Sequence, residues 1–280
     1  METTQTIDID GIAYYTFLSG PANGPVAFLV HALMSNHHMF DSTIPALHSA
    51  GYRTLVFDHI GHNLTPPPSD STRRYSTEDI VHHMHVLVPA ATGSSKLKAV
   101  IGCSIGGVLA LRYGMLYPTE VESILSLCAP GITSPSATKT LWSERIDLFQ
   151  REREQLCQET VARWLPGETP HDEAVRASAL ELVRTCSFEG YKILADAIRG
   201  YDYAAELGKL KDMRCLVLAG GRDGAVSVEV LRELAEAIER EGGDAQFGVM
   251  VDAGHLPPMH RAEDFERIAL RFLDGRKMEA

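Results

Sequence analysis

Six short apolar runs recur along the chain: VAFLVHA (26–32), RTLVFDHIG (53–61), KAVIGCS (98–104), ESILSLCAP (122–130), RCLVLAGGRD (214–223) and QFGVMVDAGH (246–255). Longer segments of helical period lie between them. Near-continuous apolar strands separated by helices predict a mostly parallel sheet covered by helices on both faces, the α/β class. The stretch QTIDIDGIAYYTFLSG (5–20) alternates apolar and polar positions around Asp10-Gly11, the pattern of a leading hairpin. STEDIVHHMHVLVPAA (76–91) opens with Ser76 and Asp79 in capping-box spacing and repeats Ile80, Met84 and Leu87 on one face. SVEVLRELAEAIEREGG (227–243) reads as a helix closed by Gly242 and Gly243.

One region breaks this rhythm. Between Pro130 and Arg214 the chain runs for roughly eighty residues without a strand signal, far more than a strand-to-helix connection needs. Two segments there, 138–168 and 179–200, have helical period. The expectation is one α/β core, residues 1–130 and 205–280, with a helical cap inserted at 131–204.

At 280 residues, 45% hydrophobic and 22% charged, the chain fits a folded enzyme-sized domain with an insertion. A net charge of −11 without any run of Lys or Arg argues against a nucleic-acid partner. No segment approaches membrane-spanning length, and METTQTIDID lacks a basic, then apolar leader, so the expected setting is cytoplasmic, without a membrane partner. Cys103, Cys128, Cys157, Cys186 and Cys215 form no Cys-x-x-Cys pair, which predicts buried free thiols. His82 and His85 lie one helical turn apart in HHMH, but no carboxylate or cysteine nearby completes a metal set. They read as exposed helix histidines. Nothing in the sequence sets an oligomeric state.

Chemistry enters with Gly102-Cys103-Ser104-Ile105-Gly106, a Gly-x-Ser-x-Gly pattern after a predicted strand and before a predicted helix. A turn that merely packs a helix on a strand would look the same, so the serine needs partners. A hydroxyl becomes a nucleophile only when a base takes its proton. His255 follows the last predicted strand and Asp223 ends the one before it, so both fall at the strand carboxyl ends, where such sheets bind ligands. The order Ser, Asp, His is that of the serine hydrolases built on this architecture. Asp252 is a rival acid, although from three residues before His255 it would have to fold back. Cys103, one position from Ser104, should point into the core.

From about residue 10 to 274 the chain resembles the α/β-hydrolase fold superfamily. HALMSN resembles its oxyanion loop, FDHIGHNLT its Asp-x-x-Gly-His-Gly turn, GCSIGG its nucleophile elbow, and AGHLPPMHRAEDF its catalytic-histidine segment. The resemblance implies Ser104 as nucleophile, His255 as general base and then acid, and Asp223 as the group orienting the imidazole. It also implies an oxyanion hole from the backbone N–H groups of Leu33 and Ile105, with His31 holding the loop and no cofactor required. Ala32 departs from the superfamily's usual glycine, and His59 and Asn63 from its usual Arg and second Gly; these bear on loop geometry and packing.

The cap segment, with Trp-x-x-Arg-Ile and a later Ala-Arg-Trp, is similar to the 3-oxoadipate enol-lactonase subgroup. That likeness implies Trp142 as an apolar wall and Arg145 as a partner for a substrate carboxylate, where a packing role for both is the alternative. The expected activity is hydrolysis of a small ester or lactone through an acyl-enzyme. Two other readings stay open: a cyclase or acyltransferase in which a substrate hydroxyl captures the acyl group, and a small-molecule receptor that does not turn over.

Overall fold

The leading hairpin, strands β1 (Thr3–Ile9) and β2 (Ile12–Ser19), turns on Asp10 and Gly11, whose φ values of 55° and 79° suit the twist of a tight hairpin. The computed structural model in which this is seen describes residues 2–70, 72–134 and 138–277. The six apolar runs become β3 (Val26–Val30), β4 (Arg53–Phe57), β5 (Ala99–Cys103), β6 (Ser123–Leu127), β7 (Arg214–Gly220) and β8 (Asp244–Met250). They form an eight-stranded sheet ordered β1-β2-β4-β3-β5-β6-β7-β8. β1 and β4 pair antiparallel with β2, and the other neighbours are parallel. Every residue of β3, β5 and β6 is buried, so both faces there are covered and no polar alternation is possible.

Helices α1 (Thr43–Ser49), α2 (Thr77–Thr92) and α3 (Ile105–Leu116) follow β3, β4 and β5. The capping box of α2 forms as its spacing predicts: Ser76 accepts from the Asp79 N–H, and the Asp79 carboxylate accepts from the Ser76 N–H. Between β6 and β7 lie α4 (Thr138–Trp164), α5 (Pro170–Val183) and α6 (Phe188–Ile198). α4 is bent at Glu152, whose φ of −145° and ψ of 61° leave the helical region. α7 (Val228–Arg240) precedes β8, and α8 (Pro257–His260) and α9 (Ala262–Leu273) complete the described chain. No helix among the described residues is long and apolar enough to cross a membrane. All five cysteines are free and buried.

The strand order sets the position of the site. From β3 the chain steps to one side for β4 and returns past β3 to its other side for β5. The connections diverge there, which leaves a crevice at the carboxyl ends of β3 and β5. Ser104 stands at one lip of it and His31–Asn36 forms the other.

Candidate active site

Ser104 joins β5 to α3 with φ 58° and ψ −121°, a conformation that L-residues avoid unless the surroundings enforce it. Its N–H donates to the Leu127 carbonyl at 2.8 Å, and its own carbonyl accepts from the Gly107 N–H at 2.9 Å. The flanking glycines are required by space. A Cβ on Gly102 would lie 1.9 Å from the Gly106 carbonyl oxygen, and one on Gly106 would lie 2.2 Å from that of Val30. Only at these two positions can strand, turn and helix come together around the serine.

Asp223 and His255 meet as their places at the strand ends predict. His255 Nδ1 donates to Asp223 Oδ2 at 2.7 Å, which fixes the tautomer and leaves Nε2 as the unprotonated ring nitrogen. The other carboxylate oxygen accepts from the N–H groups of Ala225 (2.7 Å) and Val226 (3.2 Å), holding the acid in place. Asp252 is exposed and has no part in this arrangement. His255 and Ser104 line one cavity of about 310 Å³.

The end of α4 reaches both loops. The His255 N–H donates to the Trp164 carbonyl at 2.7 Å, and the Gly224 N–H to the Arg163 carbonyl at 3.2 Å. The Trp164 indole also stacks on the His255 imidazole, with centroids 5.4 Å apart and planes 26° from parallel. Cys103 points inward as expected, its thiol donating to the His255 carbonyl at 3.2 Å. Cys128 places its sulfur within 4.8 Å of Asp223 and His255, but burial pushes its thiol well above the usual range. A neutral thiol beside a carboxylate already taken by the imidazole N–H is a poor metal set.

The second lip of the crevice is held by buried histidines. His31 Nδ1 donates to the Ala32 carbonyl (2.8 Å), while its Nε2 accepts from the His59 N–H (2.9 Å). His59 Nε2 returns a bond to the His31 carbonyl at 3.1 Å. His62 Nδ1 donates to the Ile60 carbonyl (2.9 Å), and its Nε2 accepts from the Met34 N–H (3.1 Å). Burial, reinforced by neighbouring imidazoles, holds all three neutral: His31 well below its ordinary value, His59 at about 3 and, by burial, His62 at about 4.

The substituted positions are accommodated locally. Ala32 needs no positive φ because Met34 takes it, at 67°, and Asn63 adopts 43° in place of a glycine. The Asn63 amide donates to Asp58 at 3.0 Å. Among the described residues no backbone acceptor takes the N–H of Leu33 or Ile105, and Leu33 lines the cavity.

Trp142 and Arg145 also line the cavity, with the guanidinium 5.1 Å above the indole centroid. So do Thr160, Arg163, Trp164 and Tyr191. Trp164 and Arg163 belong to the Ala-Arg-Trp segment of the enol-lactonase likeness, from which the sequence assigns neither a place in the cavity. Asn36 and His37 are buried away from the cavity, on Thr185 and Asp58 respectively. The helix histidines are not uniformly exposed. His83 is buried against the Tyr14 hydroxyl at 2.8 Å, and His85 is half-buried, bonded to Glu120 and stacked on Tyr117. His260, expected to be structural, accepts from the Gly254 N–H and donates to Asp172 at the start of α5.

Relatives align with nearly the whole chain. It is 21% identical over 258 residues to 3-oxoadipate enol-lactonase 1 of Acinetobacter baylyi, covering 91% of each chain. It is 22% identical over 263 residues to a pimeloyl-[acyl-carrier protein] methyl ester esterase of Neisseria meningitidis, covering 89% of this chain and 92% of that one. Among solved structures, the enol-lactonase from Burkholderia xenovorans LB400 superposes with a TM-score of 0.85 at 22% identity, covering 96% of this chain and 99% of that one. The family described as alpha/beta hydrolase fold matches residues 25–165, half of the sequence, from β3 through the elbow to the end of α4. With that match and the eight-stranded sheet that carries the elbow, the chain belongs to the alpha/beta hydrolase fold family.

Proposed function

We propose that the protein hydrolyses a small carboxylic ester or lactone through an acyl-enzyme. The observation that carries this reading is the 2.7 Å His255–Asp223 hydrogen bond in the cavity that also holds the strained Ser104. In this reading His255 Nε2 takes the Ser104 proton as the hydroxyl oxygen attacks the carbonyl. The resulting oxyanion is received by the N–H groups of Leu33 and Ile105, and the start of α3 adds its dipole. His255 then protonates the leaving oxygen, and a water deprotonated by the same nitrogen releases the acid.

Residues 131–204 act as a cap over a core of 1–130 and 205–280. Arg145, beside Trp142, meets a substrate carboxylate. Free thiols suit a reducing, cytoplasmic setting. The names of the relatives support ester and lactone bonds as the class, and 3-oxoadipate enol-lactone is the first substrate to try.

The test is steady-state turnover of that enol-lactone beside a neutral aryl ester, with Ser104→Ala as control. Turnover of either that vanishes in the variant supports the reading. Turnover that survives the substitution refutes it.

A further inference from the structure

Two arginines line the cavity above Ser104, and neither forms an ion pair with an acidic residue among the described residues. Arg145 lies in the first half of α4 and Arg163 in its last turn, on opposite sides of the bend at Glu152. Among the described residues no carboxylate lies within ion-pair distance of either guanidinium. The Arg163 Nε is buried without a hydrogen-bond partner.

The chain has 37 acidic residues against 26 basic ones, and several of its arginines are paired. Arg112 is held between Glu78 and Glu206, Arg184 between Glu154 and Glu181, and Arg261 pairs with Asp172. Arg153 and Arg176, which lack carboxylates, are capped by backbone carbonyls instead. Burial followed by the charge of Arg145 lowers Arg163 to about 10, and burial lowers Arg145 also. The two cations repel each other in a half-dry space, offset only in part by the more distant charges of Glu159 on both and of Asp223 on Arg163, and by the Trp142 ring under Arg145. Tyr191, which feels both charges, and Thr160 line the same wall and offer hydroxyl groups.

Resting on the ester-hydrolase reading, we infer that the substrate carries two anionic groups, one at Arg145 and one at Arg163, on a dicarboxylate ester or lactone. A single carboxylate neutralises one guanidinium and leaves the other unpaired beside it. Two neutralise the pair. The remainder of the cavity, including Leu33, Leu141, Trp142 and Val230, is apolar and suits a short carbon skeleton between the charged ends. The main-chain carbonyl of Arg163, which accepts from Gly224, is present whatever side chain stands there, so the side chain can be changed without deleting that bond.

The experiment separates binding from turnover. Calorimetric titration of Ser104→Ala protein with tricarballylate, glutarate and butanoate measures charge recognition without chemistry. The second charge-assisted contact should make glutarate bind about 10- to 100-fold tighter than butanoate, with tricarballylate at least as tight as glutarate. Adding Arg163→Gln should bring glutarate down to the affinity of butanoate, and Arg163→Lys should restore part of the gap. Thermal melts of each variant show that it is folded. Equal affinities for glutarate and butanoate, or a gap between them that Arg163→Gln leaves intact in a folded protein, would overturn the inference.

In parallel, the 4-nitrophenyl esters of butanoic, succinic and tricarballylic acids are assayed with wild-type protein. Charge-graded binding without turnover of any ester refutes the hydrolase reading and leaves the two-anion site standing. Turnover with binding indifferent to charge does the reverse.

Discussion

Lowering the pH should unfold this protein through its buried histidines. His59 and His62 sit at about 3 and about 4 in the folded chain, against an ordinary 6.5, because burial penalises the imidazolium. With the folded value below the unfolded one, the unfolded chain binds more protons once the pH falls under 6.5. The stability owed to neutral imidazoles is therefore complete above that pH and declines through the window between 6.5 and the folded values. At about 1.36 kcal/mol per pH unit, each of the two costs about 2 kcal/mol at pH 5, and together about 4.

His31, also held well below its ordinary value, adds a loss of the same sign. His38 works the other way, because its hydrogen bond to Asp41 raises it, but it lies on the surface, where the effect is screened. Against a typical total of about 5–15 kcal/mol, the loss is a large share. Urea denaturation at pH 7.5 and pH 5.0 measures it. His59→Gln places an amide nitrogen where Nε2 meets the His31 carbonyl, and it should flatten the pH slope by about 1.4 kcal/mol per unit. A wild-type difference below about 1 kcal/mol between the two pH values, or an unchanged slope in the variant, would refute the reasoning.

Two further outcomes test the site. Gly106→Ala drives a Cβ to 2.2 Å from the Val30 carbonyl oxygen, so it should cost about 1–3 kcal/mol in urea denaturation and abolish esterase turnover. A stable, active variant would show that the elbow tolerates a different path. Arg145→Ala should lower kcat/KM for a carboxylate-bearing ester about 10- to 100-fold, and far less for a neutral aryl ester. Equal losses on both substrates would assign Arg145 to packing alone.

What could be read in advance was whatever short-range sterics decide. Gly102 and Gly106 announce a close approach because any other residue would strike backbone, and the apolar runs announce strands because β3, β5 and β6 are buried on both faces. Asp223 and His255 were legible because chain order alone carries them to one edge of a parallel sheet. Long-range partners were not. The partner that meets His83 inside is the Tyr14 hydroxyl, from the leading hairpin, although its spacing from Ile80 and Leu87 already puts it on the buried face. Arg163 looks like a surface helix residue until the chain at Glu152 bends out of the helical region. No periodicity encodes that bend.

The hold that the last turn of α4 keeps on the loops of Asp223 and His255 limits how the protein can be rebuilt. Trp164 and Arg163 lend their carbonyls to those loops, so this helix end frames the His255–Asp223 pair as much as the sheet does. A chimera that imports foreign helices between β6 and β7, with the junction cut at the sheet, would therefore replace two of the frame's own fastenings. A working exchange must keep 163–165 native and graft upstream of them. The bend at Glu152 offers such a seam: the half before it carries Leu141, Trp142 and Arg145, so that part of the cavity wall can be exchanged while His255 and Asp223 stay anchored.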